Sequence, residues 1–244
     1  MTWYKDWFRD ANYRTVYEHR DEHEAEALID LIERTIGHNT GRRVLDLACG
    51  SGRHALSFAR RGYVDVGGLD LSPTLLAEAK HAAEFEGLPV RFFERDMRDL
   101  PEERFDLALN LFTSFGYFDN DEENAAVIKA VAEHLSPGGY FVIDFFNSRW
   151  LRSHYIARDE RTLQSGSRLE QTRWIENGRI EKRLIIREHD EAREYIESVR
   201  LFELSDFATM FENAGLRLTH TFGGYTGEPY SAELSHRLIM FAQR

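Results

Sequence analysis

Three aspartates and two glycines are the residues of this chain whose types and spacing point to chemistry. Asp46 sits in the apolar run Val44, Leu45, Leu47, and Gly50 and Gly52 follow at once in "VLDLACGSGRHA". Asp70 closes a second apolar run in "GLDLS", and Asp96 follows a third in "ERDMRDLP". Glycine lets a backbone approach a ligand closely, and a helix start offers unpaired N–H groups. A carboxylate accepts hydrogen bonds from hydroxyl or ammonium groups. Taken singly, Asp46 and Asp70 are also ordinary turn or capping aspartates, since "DLSP" caps a helix in any protein. Three carboxylates at successive strand ends read better as one ligand site.

Two ligands fit the glycine turn. "GSGRHA" satisfies the dinucleotide fingerprint, and Asp70 lies twenty residues after Gly50, where a nicotinamide enzyme places its ribose-binding carboxylate. Asp46 opposes that reading, because it would crowd a carboxylate against a pyrophosphate. A ligand bearing an ammonium and a sulfonium suits the acidic neighbour.

The elements that must position these residues alternate. Apolar runs at 43–47, 64–69, 89–94, 104–111 and 139–145 read as strands, with helices near 53–61, 73–86 and 122–135 between them. Ser72 and Pro73 open the second of these helices. An earlier helix runs through "DEHEAEALIDLIERTIG", capped by Asp21 and closed by Gly37. Alternation of this kind predicts an α/β fold, a doubly wound, mostly parallel sheet with crossover helices. From Leu151 to Glu203 the texture changes: Asn177-Gly178 marks a hairpin between strand-like runs, and "REYIESVRLFEL" supplies a third strand. This insertion holds eleven Lys and Arg against eleven Asp and Glu, the pattern of an exposed antiparallel sheet with interleaved charge. A helix at 205–214 and strands at 216–222 and 235–243 end the chain. The expected organisation is a cap segment and helix at 1–40, a core at 41–150, a small antiparallel β insertion at 151–203, and a closing helix and two strands at 204–244.

Composition narrows the partners. With 42% hydrophobic and 30% charged residues the 244-residue chain can build a globular core. Its formal net charge of −11 repels nucleic acid and anionic lipid surfaces. One cysteine, Cys49, makes no internal disulfide, which fits a reducing compartment or simply no need for staples, and the chain is expected to be cytoplasmic. No apolar run is long enough for a signal peptide or a membrane span. No metal is expected.

With these motifs in order, the chain resembles the class I S-adenosylmethionine-dependent methyltransferases. "VLDLACGSG" resembles that family's first motif, which implies that Asp46, Ala48, Gly50 and Gly52 surround the amino-acid part of the cofactor; Ala48 stands where many members have glycine. "GLDLS" resembles the second motif and implies Asp70 on the ribose hydroxyls with Leu71 near the adenine. "ERDMRDLP" implies Asp96 on the adenine amino group and the Met97 backbone at the ring edge. "FDLALNLFTSFGYF" resembles the segment beneath the methionyl part, which includes Leu111, and "LSPGGYFVIDFF" resembles the turn and fifth strand. The resemblance covers residues 40–147 closely and 205–243 more loosely. It implies a Rossmann-like methyltransferase fold, S-adenosyl-L-methionine as cofactor and S-adenosyl-L-homocysteine as product.

An N-terminal segment folds over the cofactor in resembling enzymes, which implies a cofactor contact for Tyr13 and a substrate contact for Tyr17. Phe112 and Tyr117, in an aromatic cluster with Phe115 and Phe118, and Asn147, after the fifth strand, join the substrate candidates. The default for those aromatics is core and loop packing. Cys49 reads as a small packed residue rather than a nucleophile. His19, His23, His54 and Tyr117 are candidate bases, but no spacing singles one out, so the catalytic residue stays unknown.

The expected activity is methyl transfer by in-line displacement to a small-molecule acceptor, with the insertion as a lid or the contact of a homodimer. A noncatalytic protein that binds S-adenosylmethionine is the alternative, and a nicotinamide-dependent oxidoreductase the more distant one.

Overall fold

Val44, Leu45 and Leu47 are fully buried, and alternation along the strand sends Leu45 and Leu47 into one apolar layer and Val44 into the other. A strand buried on both faces belongs in the middle of a parallel sheet. In the computed structural model, which describes residues 3–17, 22–189 and 191–244, β1 (Arg43–Leu47) is such a strand. It pairs in parallel with β2 (Asp65–Asp70) on one side and β4 (Phe105–Asn110) on the other. With β3 (Val90–Glu94), β5 (Leu135–Phe146), β10 (Arg217–Phe222) and β11 (Arg237–Gln243), they form a seven-stranded sheet in the order β10-β11-β5-β4-β1-β2-β3. Only the contacts of β11 with β5 and β10 are antiparallel. The reversal of strand order at β1 and β4 opens a crevice above their carboxyl ends, the usual place for a ligand in such sheets.

Helices α3 (Glu22–Ile36), α4 (Arg53–Arg60), α5 (Pro73–Glu86), α6 (Asp121–His134) and α8 (Leu204–Asn213) accompany the sheet. Leu28, Ile32 and Phe58 pack with Val44 on one face, and Ile128, Phe207 and Phe211 with Leu45 on the other. Ser72 caps α5, its hydroxyl accepting from the Leu75 amide, and Pro73 opens the helix as its sequence predicts. The cap proposed at Asp21 and the candidate base His19 lie outside the described residues. Among the described residues no helix is long and apolar enough to cross a membrane.

The insertion differs from expectation in two respects. It has four strands, β6 (Arg158–Thr162), β7 (Arg168–Glu176), β8 (Arg179–Glu188) and β9 (Glu191–Arg200), in antiparallel order. The charged sequence of β6 has no apolar alternation to announce it. Asn177 and Gly178 form the two-residue turn of the β7–β8 hairpin, both with positive φ. In addition, only one face of this sheet is solvent-facing. Its other face, with Leu169, Leu184 and Ile186, packs against Trp7 and Val16 of two short N-terminal helices, α1 (Trp3–Trp7) and α2 (Ala11–Tyr17). A further short helix, α7 (Ser148–His154), links the core to the insertion.

Candidate active site

The turn after β1 is left-handed at Ala48 (φ 56°), Gly50 (56°) and Gly52 (82°), so the chain doubles back over the end of β2 before entering α4. Asp70 holds that turn. Its Oδ2 accepts from the Gly50 amide at 2.8 Å and its Oδ1 from the Ser72 amide at 2.8 Å. The capping and ligand readings of Asp70 are therefore compatible, since the carboxylate both fixes the turn and lines the cavity beside it. Burial pushes its carboxyl upward, against the pull of the Ser72 and Gly50 amides.

Asp46 is 1% exposed, and its Oδ2 has no hydrogen-bond partner. Burial, with the nearby Asp70 adding to it and Arg53 and the Ala55 amide pulling the other way, raises its carboxyl to about 8. His54, on the first turn of α4, places Nδ1 4.0 Å from Asp46 Oδ2. A buried carboxyl oxygen left without a donor costs roughly 1–3 kcal/mol, so Oδ2 is open to a donor from a ligand. A cationic ligand head supplies one.

The cavity above these carboxylates has a volume of about 290 Å³. Ala48, Gly50, Leu71, Met97 and Leu111 line its core side, with Asp46 and Asp70. Tyr13 and Tyr17 of α2, with Tyr4 and Phe8, form the opposite wall, and Phe112 and Tyr117 close it from the loop after β4. The wall rings touch edge to face or tilted: Phe8–Tyr13 at 4.9 Å, Tyr13–Tyr17 at 5.1 Å and Phe8–Tyr117 at 5.5 Å between centroids. Arg53 lies 4.0 Å over the Phe112 ring.

Three sequence candidates stand elsewhere. Gly52 is turned away from the cavity: a Cβ there would meet Ala79 Cβ at 3.0 Å and the Phe92 ring at 3.2 Å, so its smallness serves helix packing against α5 and β3. Asp96 is held by Arg98, whose Nε and Nη2 reach its two oxygens at 2.9 and 2.7 Å, and it does not line the cavity. Burial works upward on Asp96, but Arg98 keeps its carboxyl below the ordinary value. Asn147 caps α7, accepting from the Arg149 amide at 3.1 Å. Its amide donates to the carbonyls of Ser231, Ala232 and Ser235 at 3.2, 2.9 and 2.8 Å. That makes it a strut under the loop before β11, and it is not among the residues that line the cavity. Cys49 lines the cavity, yet burial drives its thiol well above the usual range, with Asp46 and Asp70 adding to the effect, as suits a packed residue. His23 is exposed on α3, away from the cavity.

Sequence reasoning missed the support beneath Phe112. Phe112 and Thr113 both take left-handed φ, 56° and 63°, which is costly for non-glycine residues. Asp144 on β5 holds them, accepting from the Phe112 amide at 3.0 Å through Oδ2 and from the Thr113 amide at 2.9 Å through its carbonyl. Arg237 pairs with Asp144 Oδ1 at 2.7 Å, and Tyr225 donates to Oδ2 at 3.1 Å. The visible signal was a lone aspartate inside the apolar run "FVIDFF".

Residues 44–139 match the family model described as a methyltransferase domain. The chain is 30% identical over 195 residues to dTDP-3-amino-3,4,6-trideoxy-alpha-D-glucopyranose N,N-dimethyltransferase of Streptomyces venezuelae, covering 75% of this chain and 79% of that one. Among solved structures, the CcbJ methyltransferase from Streptomyces caelestis superposes with a TM-score of 0.81 at 19% identity, over 96% of both chains. A sugar N-methyltransferase from Streptoalloteichus aligns with a TM-score of 0.69 at 25% identity, over 95% of this chain and 92% of that one.

Proposed function

The chain belongs to the class I S-adenosylmethionine-dependent methyltransferases, and from that premise we propose that it methylates an amine nitrogen of a small molecule such as an amino sugar. S-adenosylmethionine, when bound, supplies a methyl carbon already activated by its sulfonium. Everything else falls to the protein.

The observation that carries the reading is the unpartnered Asp46 Oδ2 beside Asp70 on the floor of an aromatic-walled cavity. Asp46 would take the cationic amino group of the methionyl part, and Asp70, already braced by the Gly50 and Ser72 amides, the ribose hydroxyls. Leu71 and Met97 would flank the adenine, with Ala48, Gly50 and Leu111 enclosing the methionyl chain. Tyr13 would close over the cofactor. Asp96 would reach the adenine amino group only by sharing its carboxylate with Arg98.

Tyr17, Phe112 and Tyr117 form the wall left to the acceptor. Their rings favour a positively charged centre and exclude water, so the chain's main contribution is alignment of the two reactants, worth up to roughly 7–11 kcal/mol. An amine attacks with its own lone pair, which suits a cavity in which no single side chain is marked as the base. Two relatives act on amino groups of sugars by name, and that supports an amine over a hydroxyl acceptor. The insertion serves as a lid. A homodimer through it would have to use its charged outer face or an edge strand, β6 or β9, because α1 and α2 cover the inner face.

The test is turnover against a panel of amino sugars, simple amines, phenols and carboxylic acids, read as S-adenosylhomocysteine formed. Turnover confined to amines supports the proposal. Turnover confined to hydroxyl or carboxyl acceptors contradicts it, and cofactor binding without turnover of any acceptor favours the noncatalytic alternative.

A further inference from the structure

The antiparallel sheet reaches the cavity through side chains that the methyl-transfer chemistry does not itself require. Lys182 on β8 and Glu197 on β9 stand directly opposite each other in register, on the face turned toward α1 and α2. Their side chains are only 14% and 15% exposed, with Lys182 Nζ 3.5 Å from Glu197 Oε2. By contrast, the Arg183–Glu194 pair on the same two strands is open to solvent, 46% and 49% exposed. Withdrawing an ion pair from water is costly, and such pairs persist where they fix a geometry.

What they fix is Tyr17. Its hydroxyl donates to Glu197 Oε1 at 2.6 Å and accepts from Lys182 Nζ at 2.7 Å. The same Glu197 oxygen accepts from Trp7 Nε1 at 2.7 Å, so one carboxylate holds both N-terminal helices. A second latch lies two residues away on β9, where Tyr195 donates to Asp10 Oδ2 at 2.8 Å.

We propose that Glu197 and Lys182 are positioning residues for the methyl-transfer cavity: they hold Tyr17 and Trp7, and through them α1 and α2, as its outer wall. The proposal rests on the cofactor reading above. The same sheet also braces the facing loop. Arg179 donates to the carbonyls of Phe118 and Gly116 at 3.0 and 3.1 Å, and the Arg200 amide donates to the Gly116 carbonyl at 2.8 Å, which seats Tyr117 between them. The insertion is thus the common anchor of two cavity walls that the core sheet does not supply.

The test compares wild type, Glu197→Ala, Glu197→Gln and Lys182→Met in two assays. Limited trypsin digestion of the cofactor-free proteins reads cleavage after Arg14, on α2. Stopped-flow measurement of S-adenosylhomocysteine release reads the wall over the site. Lys182→Met, which loses one charge-assisted bond to Tyr17, should speed both cleavage and release about tenfold, and Glu197→Ala, which removes the shared acceptor of Tyr17 and Trp7, should speed both by more than that. Glu197→Gln, which keeps an acceptor oxygen for Tyr17 and Trp7, should restore most of the wild-type rates.

Faster cleavage with unchanged release would overturn the proposal, leaving a purely structural pair. Unchanged cleavage in Glu197→Ala would overturn it as well. A wild type that binds no S-adenosylhomocysteine is a separate outcome: it removes the cofactor reading, and the proposed role falls with it.

Discussion

Asp46 gives the sharpest prediction, because a buried carboxyl with one oxygen unpaired and a cationic ligand head must exchange a proton with solvent when they meet. Without ligand, burial and the neighbouring Asp70 hold its carboxyl at about 8. At pH 7 such a group is protonated in about 0.9 of the molecules. Contact with an ammonium favours the carboxylate, so binding S-adenosylmethionine should release up to about 0.9 proton from Asp46 at pH 7. Titration calorimetry in phosphate and in Tris buffer separates this release from the binding heat, because the two buffers take up protons with different enthalpies. Asp46→Asn cannot ionise, so the difference in proton release between wild type and Asp46→Asn isolates this one group from His54, Asp70, Cys49 and the ligand's own amine.

The same shift has a stability consequence. A carboxyl raised in the folded state binds its proton there while the unfolded chain has lost it. The ligand-free protein should therefore lose stability as pH rises from about 4 toward about 8, by at most ~1.4 kcal/mol per pH unit from this group. Asp46→Asn should flatten that slope in denaturant titrations. Equal proton release in wild type and Asp46→Asn, together with equal slopes, would refute the reasoning and return Asp46 to the role of a turn aspartate.

Other residues yield expectations of different kinds. Asp70→Ala should weaken S-adenosylhomocysteine binding by about 1.5–3 kcal/mol for each charge-assisted bond lost, measured by calorimetry; unchanged affinity would remove Asp70 from the site. Gly52→Val should lower stability, because its Cβ would meet Ala79 and Phe92 at 3.0–3.2 Å from a left-handed backbone; a cost of about 1–3 kcal/mol in chemical denaturation is expected, and wild-type stability with lost binding would contradict it. Asn147→Ala should destabilise the fold by about 1–3 kcal/mol while leaving S-adenosylhomocysteine affinity unchanged, and a large affinity loss at wild-type stability would restore it to the site. Asp144→Ala, which strips Arg237 of its buried partner and Phe112 of its support, should cost about 3–5 kcal/mol in denaturant unfolding, and a loss under 1 kcal/mol would show that the network is dispensable.

The parts of this fold legible in the sequence are those with local causes. β1, the glycine turn and α4 follow from one apolar run and two glycines, and α5 from Ser72-Pro73. The hairpin at Asn177-Gly178 declared itself by turn chemistry. By contrast, α1 and α2 are helices of five and seven residues, too short to be announced by periodicity, and their place depends on Trp7 and Val16 meeting a sheet far downstream in the chain. β6 is a strand because β7 is beside it.

The site divides in the same way. Asp46, Asp70 and the aromatic rings of Tyr13, Tyr17, Phe112 and Tyr117 line one cavity, since strand ends, turns and α2 place them. Gly52, Asp96 and Asn147 depart because their partners, Phe92, Arg98 and the carbonyls near Ser235, come from tertiary packing that no motif encodes. Asp144 was visible only as a charge in an apolar strand.

The central claim is that the crevice at the ends of β1 and β2 holds a sulfur nucleoside through Asp46 and Asp70. Calorimetric titration of the cofactor-stripped protein with S-adenosylmethionine, S-adenosylhomocysteine and NAD, run in parallel, tests it directly. Binding of both sulfur nucleosides, with no heat from NAD, is the predicted result; binding of NAD alone, or of none of the three, would contradict it.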